Sequence, residues 1–264
     1  MRSFMFAAVA ASALMVATVP AQARAQVQTQ AATTPVAGAA LLDPMFQDHA
    51  VLQRGRPINV WGRVTPGAAV SIRLGQAQAH VTAGPDGVWR ATLSTLTAGG
   101  PYVLTAQSDG ASQSVSDILI GDVWLCSGQS NMEFAVRQAT NAESEIGAAN
   151  DAKIRLFLVG RSSLPAPDST PRTVGQWRVT SPQSVRDFSA ACYFMGRDLR
   201  RTEDVPIGLI AASWGGSIIE DWLSRDAVEK LGGHQEALNA LDAYARDPAQ
   251  GDAIRRRATR SGAG

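Results

Sequence analysis

The sequence predicts an α/β protein in which a small antiparallel β-sandwich precedes a parallel sheet with alternating helices. Three observations carry this reading. Between Leu41 and Asp117, short period-two apolar runs are split by Pro and Gly. From Ile118 to Cys126 the chain is almost continuously apolar, as in a strand covered on both faces. After that, apolar strand patterns alternate with helical ones, the grammar of a parallel α/β sheet.

The chain opens with Arg2 and an alanine-rich apolar stretch from Phe4 to Val19, followed by small-x-small sites at Ala21-Gln22-Ala23 and Ala23-Arg24-Ala25. This predicts an export signal over residues 1–25. A membrane anchor needs about twenty apolar residues, and this stretch is shorter. The expected location is therefore periplasmic or extracellular, with no membrane attachment after cleavage. Residues 26–40 are Gln, Ala, Thr and Pro with almost nothing large and apolar, so they read as a linker.

The sandwich is expected over residues 41–117. Val70, Ile72 and Leu74 fall on one face of a strand, as do Trp89, Ala91 and Leu93, and then Tyr102, Leu104 and Ala106. Thr65-Pro66-Gly67, Gly84-Pro85-Asp86-Gly87 and Gly99-Gly100-Pro101 supply the turns between them. His49 and His80 are isolated here and are expected on a surface or sheet face.

Residues 118–264 form the second region. After the strand Ile118–Cys126, a helix is expected near Asn141–Ala149 and a strand over Lys153–Val159. Phe188, Cys192, Met195 and Leu199 recur at helical spacing as one apolar stripe, and Val205–Ser213 is a further strand opened by Pro206. The two cysteines, Cys126 and Cys192, sit in apolar contexts without CxxC spacing. Buried free thiols are expected of both, with no zinc site and no cofactor. A formal net charge of +1 offers no electrostatic footprint for nucleic acid, and Arg255-Arg256-Arg257 reads as a solvated tail.

Ligands of open parallel sheets bind outside the carboxyl ends of the strands. The first such strand runs into Cys126-Ser127-Gly128-Gln129-Ser130-Asn131-Met132, placing Ser130 in the turn where a nucleophile would be presented. A serine there also suits a helix cap. At the end of a later strand, Gly215 and Gly216 would let backbone N–H groups approach a ligand, or simply make a turn. The spacing G-x-S-x-G is absent because Met132 holds its last position, which argues against an ordinary α/β-hydrolase elbow.

The segments GDVWLCSGQSNMEF (Gly121–Phe134), FSAACYFMGRDL (Phe188–Leu199) and PIGLIAASWGGSIIEDWLS (Pro206–Ser224) lie in one order, behind MFQDHAVLQRGRPINVWG. Together they resemble the sialate O-acetylesterase family, a branch of the SGNH hydrolases, collinearly from about Leu41 to Ser224. The resemblance implies an immunoglobulin-like sandwich followed by part of a doubly wound SGNH-type sheet. It implies a serine esterase acting on acetylated sialic acid or related sugars, with a small-molecule or glycan substrate. Ser130 falls on the nucleophile. The oxyanion donors fall on the N–H of Ser130 and that of Gly215 or Gly216, and Gln129 and Asn131 flank the serine in the same binding set.

The family's base is a histidine in a D-x-x-H block, preceded by a W-Y-Q-G-E-like block that supplies another oxyanion donor. Neither occurs here. His234, in Gly233-His234-Gln235, is expected to be a helix-end histidine. The expectation is a gene product truncated before the active site is complete. The alternative to an esterase is a catalytically incomplete fragment or a sugar-binding remnant. Arg137 and Arg161 are candidates to meet a sialate carboxylate, with a solvated surface role expected of both.

Overall fold

The computed structural model describes residues 41–161, 175–247 and 249. The expected export signal, the linker and Arg255–Arg257 lie outside the described residues.

The described residues form ten strands: β1 (Val51–Gln53), β2 (Ile58–Arg63), β3 (Ala69–Leu74), β4 (Ala77–Thr82), β5 (Val88–Leu93), β6 (Gly99–Ser108), β7 (Ala111–Gly128), β8 (Ile154–Leu158), β9 (Trp177–Val179) and β10 (Ile207–Ser213). The helices are α1 (Ser130–Glu133), α2 (Ala142–Gly147), α3 (Pro182–Val185), α4 (Ala190–Thr202), α5 (Arg225–Leu231) and α6 (Gln235–Arg246). An eight-stranded sheet runs β4-β3-β6-β7-β10-β8-β9, with β1 also paired to β7, and β2-β5 form a separate antiparallel pair. The protein is thus a mixed α/β fold around a sheet with parallel and antiparallel parts.

The period-two runs bury the faces expected of them. Val70, Ile72 and Leu74 of β3, Trp89, Ala91 and Leu93 of β5, and Leu104 and Ala106 of β6 share one core with Val60 of β2. The intervening positions, such as Arg73 and Thr92, stay exposed. Alternation of this kind lets a strand cover the core with one face and meet water with the other.

Strand β7 joins the two halves. Its first part pairs antiparallel with β6, from Ser108↔Ala111 to Gly99↔Ile120, with register shifts on the way. Its last part pairs parallel with β10, from Ile207↔Asp122 to Ser213↔Gly128. The expected boundary after Asp117 therefore falls inside one strand. There Asp117 adopts φ 53°, and its carboxylate takes Arg155 Nη1 at 2.6 Å and His49 Nδ1 at 2.7 Å. The Arg155 hydrogen bond, aided by His49, holds the Asp117 carboxyl below the usual carboxylate range.

The expected strands at 153–159 and 205–213 appear as β8 and β10, parallel to each other, and the expected helix at 141–149 as α2. Ser189 begins α4, its hydroxyl accepting the Cys192 N–H. The stripe of Phe188, Cys192, Met195 and Leu199 packs against Leu156, Leu209 and Ala211 of the sheet.

The cysteines correct an expectation. They are not free thiols but one disulfide, Cys126–Cys192, with Cα atoms 5.9 Å apart. Cys126 is the last buried position of β7 and Cys192 lies in the first turn of α4. Packing the helix stripe on the strand brings the two within bridging range. Among the described residues, no helix is long and apolar enough to cross a membrane.

Candidate active site

Strands β7 and β10 end side by side, and the chain beyond each turns towards the other. The Trp214 N–H donates to the Gly128 carbonyl at 2.9 Å, tying the two turns together. Gly128 has φ 146°, and a Cβ there would lie 2.9 Å from Met132 Cγ, so the bend requires glycine. Gln129 then caps α1. Its side-chain oxygen accepts the Ser130 N–H at 3.3 Å and the Ser130 hydroxyl at 3.1 Å. Ser130 is the first residue of α1, exposed at the carboxyl end of β7.

The turn after β10 brings Gly215 against this serine. A Cβ on Gly215 would lie 3.4 Å from Ser130 Oγ and 2.5 Å from Glu133 Oε2. Only a residue without a side chain leaves that space open. Gly216 has φ 81° and is exposed, with open space around it. The structure therefore brings Ser130, Gln129 and Gly215 to one place, with Gly216 the next residue of the same turn. Asn131 is exposed on α1, and its side chain makes no hydrogen bond among the described residues.

Glu133 and Arg161 organise the same place. The Glu133 carboxylate accepts the Gly215 N–H through one oxygen and pairs with the Arg161 guanidinium through the other. The guanidinium also lies 5.8 Å from the centroid of the Trp214 ring. Two amides expected as oxyanion donors, those of Ser130 and Gly215, are thus engaged by side-chain oxygens of Gln129 and Glu133. Sequence reasoning missed Glu133 in this role. An acidic residue in a first helical turn reads as a dipole partner, and nothing local connects it to a glycine on another strand.

A cavity of about 810 Å³ opens beside Ser130. Phe134, Leu158 and Val159 give it apolar wall, and four charged side chains line it: Glu133, Arg137, Arg161 and Asp187. Arg137 Nε meets Asp187 Oδ1 at 2.6 Å.

All three histidines are accounted for. His49 is held by Asp117, His80 Nδ1 lies 3.0 Å from Ser71 Oγ, and His234 precedes α6 as its N-terminal cap residue. None hydrogen-bonds Ser130, so no imidazole of this chain stands as its base. Among the described residues, no cluster of His, Cys, Asp and Glu could hold a metal ion.

No family model matches the chain. Sialate O-acetylesterase of Mus musculus is 35% identical over 190 residues, which is 66% of this chain and 35% of that protein. The Homo sapiens sialate O-acetylesterase is 35% identical over 192 residues, 66% of this chain and 36% of that protein. This chain thus spans about a third of the length of the curated relatives it matches. A crystal structure of a carbohydrate acetylesterase from Xanthomonas citri superposes with a TM-score of 0.68 at 40% identity, covering 70% of this chain and 42% of that one.

Proposed function

We propose that this chain, which belongs to the sialate O-acetylesterase family, carries the nucleophile of a carbohydrate O-acetylesterase acting on sialic acid or related sugars. One observation carries the reading: the Ser130 hydroxyl stands against Gly215 where two parallel strands end. On this reading the site belongs to part of a doubly wound SGNH-type sheet (residues 118–264), preceded by an immunoglobulin-like sandwich (residues 41–117).

In the reaction, Ser130 Oγ attacks the acetyl carbonyl and its proton passes to a base. The carbonyl oxygen gathers negative charge, which suits the amides of Ser130 and of Gly215 or Gly216. As the chain stands, the Gly215 amide is held by Glu133 and that of Ser130 by Gln129. Collapse expels the sugar oxygen with a proton and leaves acetyl-Ser130, and water releases acetate in a second step. A serine needs an adjacent base, and no histidine of this chain bonds Ser130. That observation supports a second reading, a sugar-binding polypeptide with little turnover.

The disulfide supports an oxidising compartment, in keeping with an exported protein cleaved near residue 25. The test is covalent. The chain is incubated with an activated acetyl ester in imidazole buffer, and its peptides are mapped by mass spectrometry. Acetyl carried by Ser130, and lost in Ser130→Ala, is expected. Labelling scattered over lysines, with none at Ser130, would refute the nucleophile.

A further inference from the structure

The family's namesake sugar is an acid, and the charges of the cavity beside Ser130 bear on whether this site is built for one. The four charged side chains that line it form two opposed pairs, Glu133 with Arg161 and Arg137 with Asp187. Among the described lining residues they sum to zero.

The first pair is fixed at both ends of its carboxylate. Glu133 receives the Arg161 guanidinium on one oxygen and the Gly215 N–H on the other. It is anchored further by its place on α1, next to the Ser130 turn. The carboxylate therefore cannot swing aside to release Arg161 without giving up the Gly215 amide as well. A ligand carboxylate approaching that guanidinium would come to rest beside a fixed like charge. In the second pair the carboxylate is the more exposed, Asp187 at 69% against 32% for Glu133, so that pair is weak. Even there, an anion drawn to Arg137 meets the Asp187 charge.

A neutral sugar meets no such repulsion. Its hydroxyls can donate to the remaining lone pairs of Glu133 and Asp187 and accept from the two guanidinium groups. Its C–H faces can lie on the apolar wall of Phe134, Leu158 and Val159, each at least 36% exposed. An amphipathic wall with charge-compensated polar groups suits a pyranose ring that carries an acetyl ester and no carboxylate.

We propose that the site takes a neutral O-acetylated sugar, such as an acetylated xylo- or gluco-oligosaccharide, in preference to an acidic one. Glu133 and Asp187 are the specificity-determining residues that exclude the acid. The proposal rests on the acetylesterase reading above, and binding rather than turnover tests it, so that no base is required.

The 264-residue chain is titrated by NMR with two probes, the methyl glycoside of an O-acetyl xylobiose and the methyl glycoside of 9-O-acetyl-N-acetylneuraminic acid. The same titrations are repeated on Asp187→Asn and Glu133→Gln. The neutral probe should bind several-fold more tightly, with shifts at Ser130, Phe134 and Gly216. Removing one negative charge a few ångströms from the ligand should improve the acid's relative affinity by about tenfold. Asp187→Asn leaves the Gly215 amide untouched, so it reads charge even where Glu133→Gln disturbs the turn. Tighter or equal binding of the acid by the unaltered chain overturns the preference while leaving the esterase reading in place. A neutral preference that neither variant narrows overturns the assignment to Glu133 and Asp187. Binding of neither probe at the Ser130 cavity overturns the esterase reading, and the preference with it.

Discussion

Replacing both cysteines by serine tests how the turn at Ser130 is held. The Cys126–Cys192 bridge closes a loop between residues 66 apart in sequence, linking the end of β7 to the first turn of α4. The entropy withdrawn from the unfolded chain by a loop of that length is worth about 4 kcal/mol at 25 °C. For a protein of this size that corresponds to a fall in Tm of about 8–16 °C. Urea denaturation followed by far-UV circular dichroism and tryptophan fluorescence would measure it. The oxidised chain, the reduced chain and the Cys126→Ser/Cys192→Ser variant should be compared. The last two should coincide, well below the first. Hydrogen exchange should also quicken over 128–132, since Cys126 stands only a few residues before Ser130. Equal midpoints for all three forms would refute the argument that the bridge restrains the unfolded chain. Two titratable thiols in the folded, unreduced protein would refute the bridge itself.

Acid should loosen the junction in β7. The folded-state carboxyls of Asp117 and Asp122 lie below their ordinary value, chiefly through hydrogen bonds from Arg155 and Arg54. Their stabilisation is complete above the ordinary carboxylate range near pH 4 and is lost as the pH falls from there through the lower folded values. Urea midpoints from pH 6 to pH 2 should show it, with a flatter profile in Asp117→Asn. Leu104→Ala, at a fully buried position of β6, should cost about 2–5 kcal/mol in the same assay. Gly215→Ala places a methyl 2.5 Å from Glu133 Oε2 and 3.4 Å from Ser130 Oγ, and should reduce Ser130 acetylation by about tenfold to a hundredfold by peptide mapping. With no histidine bonded to Ser130, steady-state hydrolysis of p-nitrophenyl acetate by the 264-residue polypeptide should barely exceed the Ser130→Ala control. In triad enzymes, losing one member leaves only about 10³–10⁴-fold acceleration over water. A large Ser130-dependent rate would send the search for a base back to His49, His80 and His234.

The faces of the strands were legible because alternation is a local signal. A residue two positions on lies on the same face whatever the rest of the chain does, so Val70, Ile72 and Leu74 announce their burial unaided. The turn at Ser130 was legible for a related reason. An apolar run that ends in Gly128 and a cap residue marks a strand-to-helix turn without reference to any other element. The expected boundary after Asp117 lies within β7. A charged residue interrupts the alternation there, yet the strand continues because Arg155 and His49 reach that carboxylate from elsewhere. The disulfide escaped for want of any local cue, since it depends on how α4 lies on the sheet.

The same distinction separates Ser130 from its surroundings. Ser130 is presented by its own segment, but the chemistry open to it is set by a partner strand. Gly215 comes within reach only because Ser213 pairs with Gly128 at the end of a seven-residue register between β10 and β7. A slip of one position would reverse the facing of β10 and carry Gly215 away from the serine. Glu133 answers to that register too, since its bond to the Gly215 amide spans the two turns. The parallel pairing of β7 with β10 is therefore the element on which the site depends most. Substitutions along that pairing should alter Ser130 reactivity even where they touch neither the serine nor the cavity. Gly208→Val is a direct trial, because a Cβ there would stand 2.8 Å from Val51 Cβ of β1 and disturb β10 within its register with β7. Ser130 acetylation should fall with the fold's stability in that variant, and unchanged labelling would show that the turn holds its geometry without the strand beside it.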